Sequence, residues 1–412
     1  MRGNQKTIHT TCIIVLLSTL TLYLLITLVP VNLLEISPTP WSCWSLTLTD
    51  HNNVKKNTES GERCDMFHGK WVQYPNGPYY TNESCNVIFD QQNCMKFGRP
   101  DREFLKWRWK PDNHCELPIF DAVGFLELVR GKSMAFVGDS VARNQAQSLL
   151  CLLATVVYPL DVSETKDPRF RHWLYKDHNF TLATFWSPYL VKAINTYPTG
   201  PTYDRLVNLY LDQPNEDWAN EIKSFDYVIL SASQWFFGPQ IYYENHHVIG
   251  CYNCHVNNLT SLTKFYGYRK AFRTAFQALW NSQNFKGVTF LRTLSPAHFE
   301  NGEWNRGGRC SRTRPATGRE MRLEGDSLKF YLIQVDEMKR AVEQGARRGL
   351  KFRLLDTTEA MVLRPDGHPN HFGHWPHENV TIADCVHWCL PGPIDTWNEF
   401  LFQMLKMEML SN

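Results

Sequence analysis

The chain opens on its longest apolar stretch. From Thr7 to Leu34 no Lys, Arg, Asp or Glu interrupts the sequence, and residues 12–34 suffice to span a bilayer as one helix. Arg2 and Lys6 precede the run and Glu35 follows it. That charge order predicts a cytosolic N-terminus and a lumenal remainder. The length and the lack of an A-x-A-like site favour an uncleaved signal-anchor over a cleaved signal peptide. Further along, short apolar runs predict strands at Met134–Val137, Leu182–Trp186, Tyr227–Leu230, Val288–Leu291 and Phe352–Leu355. Helices are predicted over Ser140–Leu153, over Leu262–Ser282 and over Ser327–Arg348. The second carries Phe265, Phe272, Phe276 and Leu279 at helical spacing, and Gly349 stops the third. Helix and strand in alternation predict an α/β fold with a mainly parallel sheet flanked by helices.

The remaining organisation is 1–11 as a cytosolic tail, 12–34 as the anchor and 35–63 as a polar stem carrying SPTP, HNN and KKN. Four Cys from Cys64 to Cys115 mark a Cys-rich unit over 64–118, and 119–412 carries the alternating elements. The 43 Lys+Arg against 41 Asp+Glu give no field that argues for nucleic acid. Sequons at Asn82, Asn179, Asn258 and Asn379 fit a secretory route. In that compartment the eleven Cys beyond the anchor read as a disulfide framework, and an odd count leaves one over.

In a parallel α/β sheet the ligand sits at the carboxyl ends of the strands. Here those ends run into Gly138-Asp139-Ser140, the segment 231–238, the segment 292–308 and the segment 356–361. Ser140 at a strand-to-helix turn has the logic of a nucleophile elbow, with helix N-terminal amides for an oxyanion; the bland alternative is a helix cap. Asp384 lies three residues before His387, where a carboxylate can orient an imidazole that takes a proton from Ser140; the bland alternative is a surface His. His368, His371, His374 and His377 recur every third residue, but in a Pro- and Gly-rich run unsuited to a shared face, so no metal is expected. Cys251 to His255 mimics a haem-attachment pattern, better read as disulfide chemistry. Gly131-Lys132-Ser133 mimics the end of a P-loop but precedes its strand. Aromatics make up 13% of the chain. Trp107, Trp109, Trp235, Trp304 and Trp388 are sugar-stacking candidates, with Trp235, Trp304 and Trp388 placed in the site loops as substrate-binding residues.

The motifs CDMFHGKWV, YYTNESC, NCMKFGRPD, KWRWKP, FVGDSVARNQ, SPAHFENGEWNRGGRC and DCVHWCLPGPIDTWN, from Cys64 onward, resemble the plant trichome birefringence-like polysaccharide O-acetyltransferases of the Golgi. The resemblance implies a GDSL/SGNH-like catalytic domain behind a Cys-rich subdomain, anchored as a single-pass type II Golgi membrane protein. It implies Ser140 as nucleophile, His387 as base and Asp384 as its partner, with Gly138, Asp139, Arg143 and Asn144 in support. It implies disulfides joining Cys64 to Cys115, Cys85 to Cys151, Cys94 to Cys389 and Cys310 to Cys385. Cys251 and Cys254 remain as a further pair and Cys43 as the odd thiol. The family has Gly where this chain has Ser233, which leaves the second oxyanion donor open between Gln234 and others beside the Ser140 N–H. WRWKP, YYENHHVIGCYNC and LLDTTEAMVLRPDGHP are most similar to the xyloglucan-acetylating branch, which modifies side-chain galactose. The expected partner is hemicellulose, with mannan or xylan as alternatives. No cofactor is expected to be bound, and acetyl-CoA is the candidate donor. A polysaccharide acetylesterase and a non-catalytic wall-polymer binding protein are the rival readings.

Overall fold

The computed structural model describes residues 64–112, 115–196, 206–378 and 380–410. The proposed anchor and stem, with Cys12 and Cys43, lie outside the described residues, as does Asn379. Among the described residues no helix is long and apolar enough to cross a membrane.

The strands are β1 (Gly69–Gln73), β2 (Trp107–Pro111), β3 (Ser133–Gly138), β4 (Leu160–Asp161), β5 (Phe170–Tyr175), β6 (Phe180–Trp186), β7 (Val191–Asn195), β8 (Val207–Pro214), β9 (Tyr227–Ser231), β10 (Gln240–Glu244), β11 (His247–Tyr252), β12 (Val288–Arg292) and β13 (Lys351–Leu355). A seven-stranded sheet runs in the order β13-β12-β9-β3-β6-β5-β4. Its first five members are mutually parallel, and they are the five apolar runs of the sequence. The other two, β5 and the edge strand β4, pair antiparallel. Strands of a buried parallel sheet read as continuous apolar runs, which is why these five were conspicuous. A second, four-stranded sheet, β11-β10-β8-β7, and the β1-β2 pair were not anticipated. On β8 the buried and half-exposed positions alternate, a weaker signal in a short segment.

The helices are α1 (Ala122–Leu128), α2 (Ser140–Ala154), α3 (Glu216–Ala219), α4 (Lys264–Asn281), α5 (Gly325–Ala346), α6 (Thr358–Val362) and α7 (Asp395–Leu410). Thr263 caps α4 through the Tyr266 amide, so α4 begins two residues later than its apolar pattern suggests. Gly349, in the left-handed region, follows α5, which ends at Ala346. Two separate helix groups pack on the sheet. In one, α1, α2 and α7 pack together, with Phe125 of α1 against Phe402 of α7 and against Phe120 just before α1. In the other, α4 and α5 meet through Tyr268, Phe272 and Phe330. The first turns of α7 are buried on every side, from Asp395 to Phe402, so this helix shows no stripe at helical spacing and went unpredicted. Asp395 is buried with its carboxylate accepting from Ser148 of α2 and Tyr80 of the Cys-rich segment, which joins three parts of the chain.

Candidate active site

The parallel strand β3 ends at Gly138, directly beside β9, and a Cβ there would lie 1.9 Å from the Ser231 carbonyl oxygen. The φ of +158° also favours glycine, so only Gly lets the chain turn so close to the sheet. Asp139 follows as the N-cap of α2. One of its carboxylate oxygens accepts from the Val141 and Ala142 amides, at 3.0 and 3.4 Å. The other accepts from the Ser233 amide at 3.1 Å. The Arg143 amide donates to the Asp139 carbonyl. The Ser140 N–H is therefore the first-turn amide that Asp139 leaves free, and it points from the positive end of a 15-residue helix.

Ser140 Oγ lies 2.7 Å from His387 Nε2. His387 Nδ1 lies 2.7 Å from Asp384 Oδ2. The other Asp384 oxygen accepts from the Val386 and His387 amides at 3.1 and 3.0 Å. This local turn fixes the tautomer, because Nδ1 must donate to the carboxylate and Nε2 is then free to accept from the Ser140 hydroxyl. Burial pushes the Asp384 carboxyl up, but the His387 charge and these hydrogen bonds outweigh it and hold it at about 2. Burial pushes the His387 imidazole down, and the ionised Asp384 more than offsets that, so it sits above its ordinary value. The side chains of His387 and Asp384 stay 22% and 27% exposed, so the group opens to solvent and to a substrate.

The loop carrying Asp384 and His387 is irregular and is tied from several directions. Cys385 is bonded to Cys310 and Cys389 to Cys94. The backbones of Asp384 and Asn370 exchange hydrogen bonds at 2.7 and 2.8 Å. Asn144, one turn along α2 from Ser140, accepts from the Trp388 amide and donates to the Trp388 carbonyl, at 2.8 and 3.2 Å. It thereby fixes the residue after His387 to the helix that carries Ser140. Arg99 of the Cys-rich segment donates to the carbonyls of His368 and Asp366. The other disulfides join Cys64 to Cys115, Cys85 to Cys151 and Cys251 to Cys254.

Other expected site residues fall differently. Trp388 is fully buried, its indole N–H donating to Ser295 at 2.9 Å, so it packs the loop and offers no face to a substrate. The expectation of substrate stacking at Trp388 is corrected. Trp235 and Trp304 are half-buried. Gln234 donates one amide hydrogen to the Ser295 carbonyl at 3.0 Å, bridging two site loops. Ser233 has a φ of −162°, outside the positive range that favours glycine. Its amide is spent on Asp139, and its hydroxyl is buried without a partner among the described residues. Of the four regularly spaced His, His368 is buried, His371 and His374 half-buried and His377 exposed; they share no face. Asn179 and Asn258 are exposed and Asn82 is half-buried.

Sequence reasoning missed Trp186 and Phe89. Trp186 ends β6 and pairs with Gly138, so it stands beside the Ser140 turn. It meets Trp235 edge-on at 5.6 Å, and the Arg143 guanidinium lies 5.7 Å from the Trp186 ring and 4.9 Å from that of Phe89. The rule that pointed to the strand ends would have found Trp186, the last residue of a predicted strand. Beneath the turn, Arg292 is fully buried at the end of β12, its guanidinium 4.7 Å from the Trp397 ring. Burial lowers it to about 10 against the opposing pull of Asp139 and Tyr268.

Residues 117–404 match the PC-Esterase family, described as a GDSL/SGNH-like acyl-esterase family found in Pmr5 and Cas1p. Residues 62–116 match the PMR5 N terminal Domain. The chain is 54% identical to protein trichome birefringence-like 19 of Arabidopsis thaliana over 85% of its own length and 82% of that protein. It is 43% identical to xyloglucan O-acetyltransferase 4 of Populus trichocarpa, over 86% and 83% of the two chains. It is 40% identical to xyloglucan O-acetyltransferase 2 of Arabidopsis thaliana, over 87% of each. The chain belongs to the PC-Esterase family, among the trichome birefringence-like proteins.

Proposed function

We propose that this PC-Esterase family member is an O-acetyltransferase that moves acetyl groups onto side-chain galactose hydroxyls of xyloglucan through an acyl-serine. The observation that carries this reading is the unbroken hydrogen-bonded series Ser140–His387–Asp384, with both contacts at 2.7 Å. Relatives named xyloglucan O-acetyltransferases support the acceptor class. Mannan and xylan are the alternative acceptors.

In the first half-reaction His387 Nε2 takes the Ser140 proton while Oγ attacks the donor's acetyl carbonyl. The negative oxygen that develops faces the free Ser140 N–H at the α2 N-terminus. The donor leaves with the proton from His387, and Ser140 keeps the acetyl ester. In the second, His387 deprotonates a sugar hydroxyl, which attacks that ester and restores Ser140. Acetyl-CoA is the donor to test first. Trp186, Trp235 and the Phe89 ring line the approach to Ser140 with faces that stack on sugars and displace water. We place the protein in the Golgi membrane on its resemblance to the trichome birefringence-like family, held by the segment 12–34 with its catalytic part lumenal on the charge order around that segment.

The test is incubation of the full chain with acetyl-CoA and oligomers of xyloglucan, mannan and xylan, read by mass spectrometry. Acetylated xyloglucan is expected. Net deacetylation of pre-acetylated oligomers without transfer would make the protein an esterase. Acetylation that persists in Ser140→Ala would remove the acyl-serine route.

A further inference from the structure

Directly behind His387 stand two histidines that the mechanism does not use. His298 lies in the loop after β12, and His368 follows the turn Pro365–Gly367; both are buried. His368 Nδ1 is 2.7 Å from the His387 carbonyl oxygen. His368 Nε2 is 2.7 Å from His298 Nδ1. His298 Nε2 is 3.0 Å from the Val362 carbonyl oxygen. The row thus holds three contacts and ends on a carbonyl at each side.

A carbonyl only accepts, so His368 Nδ1 and His298 Nε2 must each carry hydrogen. A neutral imidazole has one N–H. With both rings neutral, the two inner nitrogens would face each other with lone pairs at 2.7 Å, inside a buried site where unmatched polar groups are costly. A third proton converts that contact into a hydrogen bond and satisfies all four ring nitrogens. The surroundings suit a cation, since the His368 ring is stacked on the Trp388 indole with centroids 4.0 Å apart and planes at 27°.

We propose that His298 and His368 share one excess proton, and that this buried cation is a positioning device for His387. Through His368 it holds the His387 carbonyl, and through its charge it keeps the His387 imidazole in the base form. The charged groups facing the pair act in both directions. Burial pushes His298 down to about 4 and His368 down as well, while Arg312 near His298 and His387 near His368 add to that. The Asp384 carboxylate opposes them. Arg99 donates to the His368 carbonyl, and Asp366 is neutralised by Arg364. While His387 is neutral, Asp384 has no cation in contact among the described residues, and the shared proton offsets it. Once His387 takes the Ser140 proton, two cations flank one carboxylate, and the imidazolium gives its proton to the leaving group more readily.

Nitrogen NMR of the full chain, labelled at histidine, counts the ring protons, because bare and protonated ring nitrogens resonate apart. Three protons on the pair at neutral pH, with one lost in a single step on alkaline titration, are expected. Two protons at neutral pH overturn the proposal. The second measurement is the pH profile of His298→Asn, whose amide can donate to His368 Nε2 and so needs no excess proton. We expect kcat to fall about tenfold with KM little changed, the acid limb of kcat/KM to move to higher pH, and the alkaline limb to vanish. A profile of unchanged shape overturns the positioning role. If that variant fails to fold, the proton count on the unaltered chain decides. The kinetic arm rests on His387 as the base, whereas the proton count does not. Three protons in a chain that transfers no acetyl would uphold the pair and sink the transferase reading.

Discussion

The two halves of the site are held by opposite means. Ser140 sits where a buried parallel strand enters a capped helix, and its place follows from backbone geometry within a dozen residues. His387 sits in an irregular loop outside any strand or helix, held by Cys310, Cys94, Asn370, Asn144 and His368. Regular structure positions a group by satisfying its own backbone hydrogen bonds. An irregular loop leaves those bonds to distant partners, so its precision depends on tethers.

The contrast can be broken from either side. Ser140→Ala removes the attacking atom without touching a tether. Acetyl transfer is expected to fall by about 10⁴-fold or more, with the melting temperature unchanged. Removing a tether should act differently according to which half it serves. Replacing Cys310 and Cys385 by Ala should cost about 2–4 kcal/mol in denaturant unfolding and lower kcat about a hundredfold. Replacing Cys85 and Cys151, which hold the far end of α2, should cost a similar stability with kcat changed only a few-fold. Equal kcat losses in the two variants would erase the distinction. Asn144→Ala cuts a side chain that bonds the helix of Ser140 to the loop of His387. It should cost about 2–3 kcal/mol and lower kcat about tenfold with KM little affected.

The pH dependence follows from the charge pair. His387 is shifted upward, so the base form is lost below a pH higher than its ordinary 6.5, and kcat/KM should fall about tenfold per unit below that point. For stability the signs are separate. The His387 contribution is full below about 6.5 and fades as pH rises through its raised value. The Asp384 contribution is present above about 4 and is lost as pH falls toward about 2. Acid unfolding scans of the Asp384→Asn variant should lack that last loss. The smallest effect separates the two tryptophan classes. Trp186→Ala should raise KM for the oligosaccharide a few-fold at little cost in stability. Trp388→Ala should instead cost about 3–5 kcal/mol, a packing loss with no selective change in KM.

Much of this was legible in the chain. The five parallel strands announced themselves as apolar runs because both their faces are buried, and the turn at Ser140 followed from a strand, a Gly and a capping Asp in succession. Helix α7 was hidden because its first turns are buried all round, and the second sheet because its strands are short and alternate weakly. Trp388 was misread because a place in a site loop suggested a face open to substrate. In the fold, the next residue along a tight loop turns inward, its backbone bonded to Asn144 and its indole set between Ser295 and His368.

By itself the sequence determined where the sheet would run, which serine would stand at its carboxyl edge and which Asp and His could serve each other within one turn. Those are matters of period, capping and local spacing, set over a few residues. Only the tertiary structure decided that His387 meets Ser140 across 247 positions, that Asn144 clamps the far side of that meeting and that two distant histidines close a proton-hungry row behind it. Such contacts join segments far apart in the chain, and no local pattern records which segments the folded core will bring together.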